Sequence, residues 1–313
     1  MAKSERQFVE WLRARFPVDA TRVPIGIGDD MAALRVSGDV LVTADMLMDG
    51  VDFDVREHAP RQIGRKALAC GLSDCAAMAV RPVAAVVSMA LPNAWSMSQA
   101  QGLYEGMEPL CTEFDVALAG GDTNSWNGPL VIDVCVLAEA WPGLRPVTRN
   151  GARPGDVIFV SGRLGGSIRG RHLGFPPRVA LARELRERLG DSLHAMMDLS
   201  DGLLLDLSRM CAASGLGAEL DARDVSAHAS PDAHAQSAAD GRPVLEHVMT
   251  DGEDFELLCA VGAEAARGMW QQDVAVWSGR PIGRFVASGL WLKHEDGRRE
   301  VVEARGWEHF VES

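Results

Sequence analysis

One kind of short motif recurs along the chain: an aspartate beside glycine, serine or threonine, at the end of an apolar stretch. Magnesium prefers carboxylate oxygens and is usually held by one or two carboxylates together with substrate phosphates. Small neighbours let backbone groups approach a phosphate or a metal ion. The motifs are "GIGDD" (Asp29, Asp30), "VTAD" (Asp45), "LSD" (Asp74), "AGGD" (Asp122), "MDLSDG" (Asp198, Asp201) and "DGED" (Asp251, Glu253, Asp254).

Taken singly, each of these motifs marks a turn more often than a site. As a set they are hard to explain without cations, because so many acidic strand ends repel one another unless positive charge lies between them. The set therefore predicts a site where Mg²⁺ ions bind a polyphosphate.

Composition narrows the class of protein. With 313 residues the chain is long enough for two domains, and 47% hydrophobic with 24% charged residues is a globular composition. The net charge of −13 argues against a nucleic-acid partner. No apolar run approaches the roughly 20 residues of a membrane helix, and the first residues lack a signal-peptide pattern. Six scattered cysteines without a C-x-x-C pair indicate reduced core residues. We expect a cytoplasmic protein without a membrane partner.

The common nucleotide-binding and catalytic motifs are missing from the sequence. There is no Gly-Lys pair for a Walker A loop, and Met31 stands where a dinucleotide fingerprint needs its third glycine. No H-R-D, D-F-G or G-x-S-x-G sequence supports a protein kinase or a serine hydrolase.

Hydrophobic periodicity predicts an α+β protein rather than a doubly wound parallel sheet. Three prolines and three glycines mark residues 141–156 as the domain boundary. Before it we predict helices at 5–16, at 60–72 and again from Ser73 or Asp74, an amphipathic helix around Leu103 to Phe114, and strands at 39–46, 83–91 and on both sides of a loop at 120–128. After it we predict strands at 156–161 and 255–261, a glycine-rich turn "GRLGGS", helices at 179–189 and 202–214, and a hairpin with Asp296-Gly297 as its two-residue turn.

Seven segments occur in an order that resembles the thiamine-monophosphate kinase family of the aminoimidazole-ribonucleotide-synthetase-like superfamily. The resemblance runs from about residue 24 to "RGWEHF". The segments are "GIGDDMAAL", "VTADMLMDGVDF", "IGRKALACGLSDCAAMAVRP", "AGGDTNS", "TRNGARPGD", "DLSDGLLLDL" and "GEDFELL".

The resemblance implies an α+β domain at 1–145 that binds ATP and Mg²⁺ and forms a homodimer through its sheet. It implies a second domain at 146–313 that closes over the nucleotide and completes the ATP and substrate site. The family reaction is direct transfer of a phosphoryl group from ATP, the co-substrate, to thiamine monophosphate with several Mg²⁺ ions, giving thiamine diphosphate. The acceptor is an ionised phosphate, so no side-chain nucleophile is needed and positioning with charge neutralisation would supply the catalysis.

The family's functional residues carry over by motif onto three sets. Ala44 stands where the family has a hydroxyl residue and would contribute its backbone carbonyl. The metal ligands would be Asp30, Thr43, Ala44, Asp45, Asp74, Asp122, Asp198 and Asp201; the ATP contacts Tyr104, Gly121, Asp122, Arg149 and Ser200; and the substrate contacts Asp52, Glu253 and Trp307.

One departure bears on the acceptor. The family's G-x-H-F is "GVDF" here, so Asp52 replaces a histidine, and a carboxylate repels a phosphate unless a cation lies between them. Two alternatives remain open: a superfamily synthetase or kinase that uses ATP on another small substrate, and a non-catalytic nucleotide-binding relative. Selenophosphate synthesis or hydrogenase maturation would need a cysteine near one end of the chain, but the first is Cys70 and the tail "FVES" has none.

Overall fold

The chain forms two compact units in the computed structural model, which describes residues 2–28, 31–269 and 280–307. The first unit comprises Met1–Cys75 and Val80–Trp141, and the second comprises Ala76–Ala79 and Pro142–Ser313. Both units mix helices with strands in irregular order, which confirms the α+β prediction. The sequence-based roles of the two domains stay predictions.

The first unit is a four-stranded sheet with helices. Its sheet order is β1-β4-β2-β3, antiparallel except for the parallel β2–β3 pair. The elements are α1 (Ala2–Arg15), β1 (Leu41–Met48), α2 (Pro60–Ala77), β2 (Val80–Pro92), α3 (Met97–Phe114), β3 (Ala117–Trp126) and β4 (Val131–Ala140).

The two faces of this sheet differ in burial. Thr43, Asp45 and Leu47 of β1 share the inner face with the fully buried Val134 and Val136 of β4. The alternate residues of β1 lie on the outer face, where Val42 is 63% and Met46 62% exposed. Strand alternation thus places the acidic motif of β1 on the inner face and an apolar strip on the outer one.

Two predictions in this unit were wrong. The helix break at Ser73 or Asp74 is absent, because the buried face of α2 continues through Leu72 and Ala76 and Ser73 is itself buried. Residues 120–126 are strand rather than loop. There Gly121 lets β3 pair closely with β2, since a Cβ at this position would lie 2.0 Å from the Val87 carbonyl oxygen.

The second unit has a seven-stranded sheet with the order β11-β10-β7-β9-β5-β8-β6. Its core includes Ile158, Leu199, Leu207 and Ile282. The elements are β5 (Val157–Val160), α4 (Val179–Leu189), β6 (Leu193–Asp198), α5 (Leu203–Ser214), β7 (Gly217–Asp221), α6 (Ala222–Ser226), α7 (Pro231–Asp240), α8 (Val244–Thr250), β8 (Leu257–Val261), α9 (Ala263–Met269), β9 (Pro281–Val286), β10 (Leu290–Lys293) and β11 (Arg299–Val301).

The C-terminal hairpin differs from its prediction. The amide of Gly297 donates to the carbonyl of His294, and the amide of His294 donates to the carbonyl of Arg298. The connection therefore has three residues, with Gly297 in the left-handed region at φ 84°, a turn followed by a bulge. Among the described residues no helix is both long and apolar enough to span a membrane.

Candidate active site

Two acidic motifs of the first unit, "VTAD" and "LSD", meet where β1 and α2 face each other. The hydroxyl of Thr43 donates to Asp74 Oδ2. Asp45, two residues along β1, has a buried Oδ2 without a hydrogen-bond partner in the described part of the chain. Burial, and then the negative charges of Asp74 and Asp133, raise the pKa of Asp45 to about 7. A buried unpartnered carboxylate beside a second acid has the chemistry of a cation ligand.

Asp133 was missed by the sequence reasoning, although it lies within reach of this charge cluster. It pairs with Met46 of β1 and with Ser88 of β2, so it belongs to the outer face of the sheet, and it raises the pKa of Asp45 through the sheet. The signal was an acid in the middle of the apolar strand "VIDVCV".

Ala44 lies on the opposite face of β1 from Asp45. Its side chain is therefore directed away from the Asp45–Asp74 pair. β1 is an edge strand, and an edge strand leaves some of its carbonyls without a strand partner. A backbone contribution from Ala44 stays a prediction.

A cavity of about 870 Å³ lies along the free edge of β3. Tyr104, Gly121 and Asp122 all line it, so the structure brings together three residues predicted to contact ATP. Gly28 and Met31 line the same cavity, while Asp29 and Asp30 between them lie outside the described residues.

The ring of Tyr104 is only 2% exposed. It packs edge-on against Phe8, with 5.7 Å between ring centroids, and lies 6.2 Å from Phe16. Burial raises the pKa of its hydroxyl, and a hydrogen bond with Thr123 lowers it. Tyr104 thus forms the wall of the cavity and offers no open ring face for stacking.

Asp52 takes part in the turn after β1. Its Oδ2 accepts a hydrogen bond of 2.7 Å from the Met48 amide, and its carbonyl accepts one of 2.6 Å from the buried ammonium group of Lys66. The carboxylate that replaces the family histidine therefore stabilises its own turn.

In the second unit the "DLSDG" loop follows β6. Asp198 is buried at the strand end, and Asp201 pairs with Arg209. Asp206 on α5 accepts from the amides of Asp201 and Gly202 at 3.0 and 3.2 Å, which fixes the loop against the helix. Burial raises the pKa of Asp206 to about 6.

Two other segments flank this loop. The Glu253 amide donates to the Ser200 carbonyl at 2.6 Å on one side, and the Trp307 amide donates to the Asp201 carbonyl at 2.9 Å on the other. Trp307 is 55% exposed. The structure thus brings together Ser200, Asp201, Glu253 and Trp307. These residues span 107 positions of the sequence, and all four were predicted to belong to one site.

Arg149 lies in an exposed turn beside the edge strand β6, where the amide of Met196 donates to the carbonyl of Thr148 at 3.2 Å. Within the described ranges no hydrogen bond of its guanidinium group is found. The predicted contact between Arg149 and ATP stays a prediction.

No group of three or more His, Cys, Asp or Glu side chains within the described ranges is arranged to hold a metal ion. This is compatible with Mg²⁺, which takes few protein ligands and keeps waters and phosphate oxygens.

The chain matches two family profiles. Residues 28–140 match "AIR synthase related protein, N-terminal domain", and residues 153–266 match the C-terminal domain of the same proteins. Fold and sequence together define a two-domain protein of the AIR-synthase-related class.

Closer relatives narrow the family. The chain is 40% identical to the thiamine-monophosphate kinase of Rhodopirellula baltica, over 97% of both chains, and 31% identical to that of Bacillus subtilis, over 92% of this chain and 94% of the relative. The chain belongs to the thiamine-monophosphate kinase family and is a kinase of that family.

Solved structures agree with this assignment. The thiamine-monophosphate kinase of Stenotrophomonas maltophilia K279a matches with a TM-score of 0.77 and 32% identity, over 92% of this chain and 95% of that one. AaThiL complexed with AMPPCP and TMP matches with a TM-score of 0.75 and 28% identity, over 91% and 92%. The hydrogenase maturation protein HypE in complex with ATP, at 17% identity and a TM-score of 0.74, shares the fold alone.

Proposed function

We propose that this protein transfers the γ-phosphoryl group of ATP to thiamine monophosphate in an Mg²⁺-dependent, in-line reaction and releases thiamine diphosphate. One observation carries the proposal: the chain is 40% identical, over 97% of its length, to a thiamine-monophosphate kinase. A related structure holds AMPPCP, an ATP analogue, together with TMP, which we take to be thiamine monophosphate.

The residues of the first unit fit Mg²⁺. Asp45 Oδ2 is buried without a hydrogen-bond partner among the described residues, and burial together with the negative charges of Asp74 and Asp133 raises its pKa, so a cation beside it would be favourable. Asp45, Asp74, Thr43 and the exposed Asp122 would hold metal ions, with Asp30 as a further ligand by motif. Bound Mg²⁺ would neutralise phosphate charge and so let two anions approach.

The cavity along β3 would hold the phosphates of ATP beside Asp122. Gly121 lines the cavity, and its lack of a side chain lets β3 pair closely with Val87 of β2, which fixes the strand that would border the phosphates. Asp122 follows it at the cavity wall, which would put a carboxylate beside the same phosphates. Tyr104 would shape the cavity rather than stack on the base.

Residues in and around the "DLSDG" loop of the second unit would make further contacts with metal ions and ligands. Asp198 and Asp201 would bind Mg²⁺, Ser200 and Arg149 would contact ATP, and Glu253 would face the thiamine phosphate. Trp307, with its exposed ring, would pack against the thiazolium or pyrimidine ring of thiamine.

We also propose that the protein is a homodimer that pairs through the outer face of the β1-β4-β2-β3 sheet. Val42, Met46 and Met48 leave apolar side chains exposed there. Contiguous exposed apolar surface of this kind marks interaction sites, and a symmetric dimer would cover the same face on both copies.

The deciding experiment incubates purified protein with ATP, Mg²⁺ and thiamine monophosphate, and measures thiamine diphosphate by chromatography. Product that forms with Mg²⁺ and is abolished by excess EDTA supports the proposal. ATP consumed without thiamine diphosphate would instead favour a synthetase or kinase with another substrate, and no ATP turnover would favour a nucleotide-binding relative.

A further inference from the structure

The segment that carries Glu253 has an unusual backbone. Glu253 has φ 62° and Phe255 has φ 49°, so two residues with side chains occupy the left-handed region within three positions. Such conformations cost on the order of 1–3 kcal/mol each and persist only where surrounding contacts enforce them. Here the contacts that enforce the two left-handed conformations come from a turn that has no role in the proposed reaction.

This turn is the glycine-rich segment "GRLGGS" at 162–167. Glycine-rich turns often bind phosphate with their amides, but these amides are already used: Gly165 donates to both oxygens of Asp254 at 3.0 Å, and Gly166 donates to Asp251 Oδ2 at 2.8 Å. The turn therefore binds carboxylates of the protein itself.

Asp254 is the centre of these contacts. It is 2% exposed, and besides the Gly165 amide it accepts from Ser167 Oγ at 2.7 Å and from Arg171 Nη2 at 2.8 Å. Arg171 Nη2 also donates to the Gly165 carbonyl, which ties the turn and the carboxylate into one unit. A buried carboxylate with this many donors has its side chain, and so its backbone, fixed in one place.

The residues on either side of Asp254 transmit this position to the "DLSDG" loop. The Glu253 amide donates to the Ser200 carbonyl at 2.6 Å, and the Phe255 amide donates to the Leu199 carbonyl at 2.8 Å. The Phe255 ring stacks on Phe175 with 4.0 Å between centroids. Asp254 lies between two backbone hydrogen bonds that hold residues 199–200.

The "GRLGGS" turn needs glycine at its fourth and fifth positions. Gly165 and Gly166 have φ 86° and 70°, and a Cβ on Gly166 would lie 2.4 Å from the backbone carbon of Asp232. These glycines let the turn amides reach Asp254 and Asp251, which a side chain at either position would prevent.

We propose that Asp254 is a positioning residue: anchored in the 162–167 turn, it enforces the left-handed backbone at Glu253 and Phe255 and thereby sets the place of Glu253 in the acceptor site and of the 199–200 carbonyls in the "DLSDG" loop. The proposal rests on the proposed function for the identity of the acceptor, but its structural part does not depend on that function.

The test compares Asp254→Asn with the wild type and with Glu219→Gln. Asparagine keeps the shape but removes the negative charge and replaces one carboxylate oxygen with an amide NH₂ group, which cannot accept from the Gly165 amide that now contacts both oxygens. Glu219 is a matched control, because it is also buried and ion-paired with two arginines, Arg284 and Arg299, but lies on β7, three strands from β8. Both variants lose a buried charge, and only one of them contacts the turn.

The first readout is amide hydrogen exchange, which requires no substrate. We expect the Glu253 and Phe255 amides to exchange at least about tenfold faster in Asp254→Asn and to stay protected in Glu219→Gln. Unchanged exchange in Asp254→Asn would overturn the proposal, whatever the protein phosphorylates.

The second readout is steady-state kinetics below the unfolding temperature. We expect Asp254→Asn to raise the KM for thiamine monophosphate by about tenfold, because small displacements of positioning groups have large kinetic effects. Equal losses in the control would show a purely structural role and contradict the proposal. If the wild type does not phosphorylate thiamine monophosphate, the proposed function fails, and the exchange result alone decides the positioning.

Asp254→Asn could fail to fold, so Arg171→Lys serves as a second variant. Lysine keeps the positive charge beside Asp254 but cannot make the contacts that Arg171 Nη1 and Nη2 make with the Arg163 and Gly165 carbonyls. We expect the same exchange and KM changes at smaller size. Wild-type amide exchange and a wild-type KM in both Asp254→Asn and Arg171→Lys would overturn the proposal.

Discussion

The backbone amide of Trp307 donates a 2.9 Å hydrogen bond to the carbonyl of Asp201, and so places the C-terminal segment against the "DLSDG" loop. Gly306 makes this approach possible, since a Cβ there would lie 2.2 Å from the same carbonyl oxygen. The indole itself is 55% exposed, so the bond fixes the backbone and leaves the ring accessible.

Replacement of the Trp307 indole tests its proposed role directly. We expect Trp307→Ala to raise the KM for thiamine monophosphate by about tenfold, the loss of one ring-stacking contact of ~1–2 kcal/mol, with the ATP KM unchanged. Trp307→Phe should restore most of the affinity. Trp291→Ala, whose ring stacks on Arg299 in the hairpin, is the control. An acceptor KM that does not move in Trp307→Ala would remove the ring from the site.

Asp122 tests the metal site at β3. It is exposed, so Asp122→Ala should leave the melting temperature nearly unchanged, whereas the loss of a charge at the phosphate chain should lower kcat by roughly 10²–10³-fold. Asp39→Ala, which removes an exposed acid that does not line this cavity, should remain active. Retained activity in Asp122→Ala would contradict its role as a ligand.

The raised pKa of Asp45 predicts that the thermal stability of the metal-free protein depends on pH. Burial holds its folded pKa at about 7, above the ~3.9 of an unfolded aspartate. Between these values the folded state binds more protons than the unfolded state, so this group contributes a stability that falls as the pH rises. We expect the melting temperature in EDTA to fall more steeply from pH 5 to pH 8 in the wild type than in Asp45→Asn.

Added Mg²⁺ should restore the melting temperature of the wild type at pH 8, because a bound cation offsets the buried charge of Asp45. The exposed Asp39, just before β1, provides a control in Asp39→Asn, which should follow the wild type. A pH slope that is identical in wild type and Asp45→Asn would show that the carboxylate is not held in its charged, unpartnered state.

Asp52 predicts weakened acceptor binding. Its negative charge should oppose the acceptor phosphate, so Asp52→His should lower the KM for thiamine monophosphate several-fold. Asp52→Asn separates the effect of the negative charge from the effect on the turn, because the asparagine carbonyl oxygen can still accept a hydrogen bond from the Met48 amide. We expect Asp52→Asn to give part of the improvement, and an unchanged KM in both variants would confine Asp52 to the turn.

The exposed sheet face predicts the oligomeric state. Val42→Asp puts a charge on this face, where the wild-type side chain is 63% exposed, and should convert a dimer to a monomer in sedimentation analysis. Val51→Asp, at a residue 50% exposed outside the strand, should remain dimeric. A monomeric wild type at micromolar concentration would contradict the proposed dimer.

The sequence predicted the elements whose apolar periodicity is uninterrupted, such as α4, α5 and β8. It failed at α2, where Ser73 and Asp74 resemble a helix start, because their side chains face the interior and the Asp45 cluster rather than the backbone. It also predicted a loop at 120–128, of which residues 120–126 are strand, because the sequence does not show that Gly121 permits close strand pairing.

The site was predictable only in part. Aspartates at strand ends could be found by motif, but the use of each depends on its tertiary partners. Asp251 and Asp254 look like further metal ligands in sequence, yet both accept hydrogen bonds from the 162–167 turn. The sequence shows Asp133 as an acid within an apolar strand but not its effect on Asp45, since that effect arises from strand pairing across the sheet.

The central claim is direct phosphoryl transfer to thiamine monophosphate, and a labelling experiment tests it most directly. The protein is mixed with ATP labelled with ³²P at the γ-position, Mg²⁺ and thiamine monophosphate, and the products are separated. We predict that the label appears in the terminal phosphate of thiamine diphosphate and that none is found on the protein. Label that is released only as free phosphate, with no labelled thiamine diphosphate, would contradict the account.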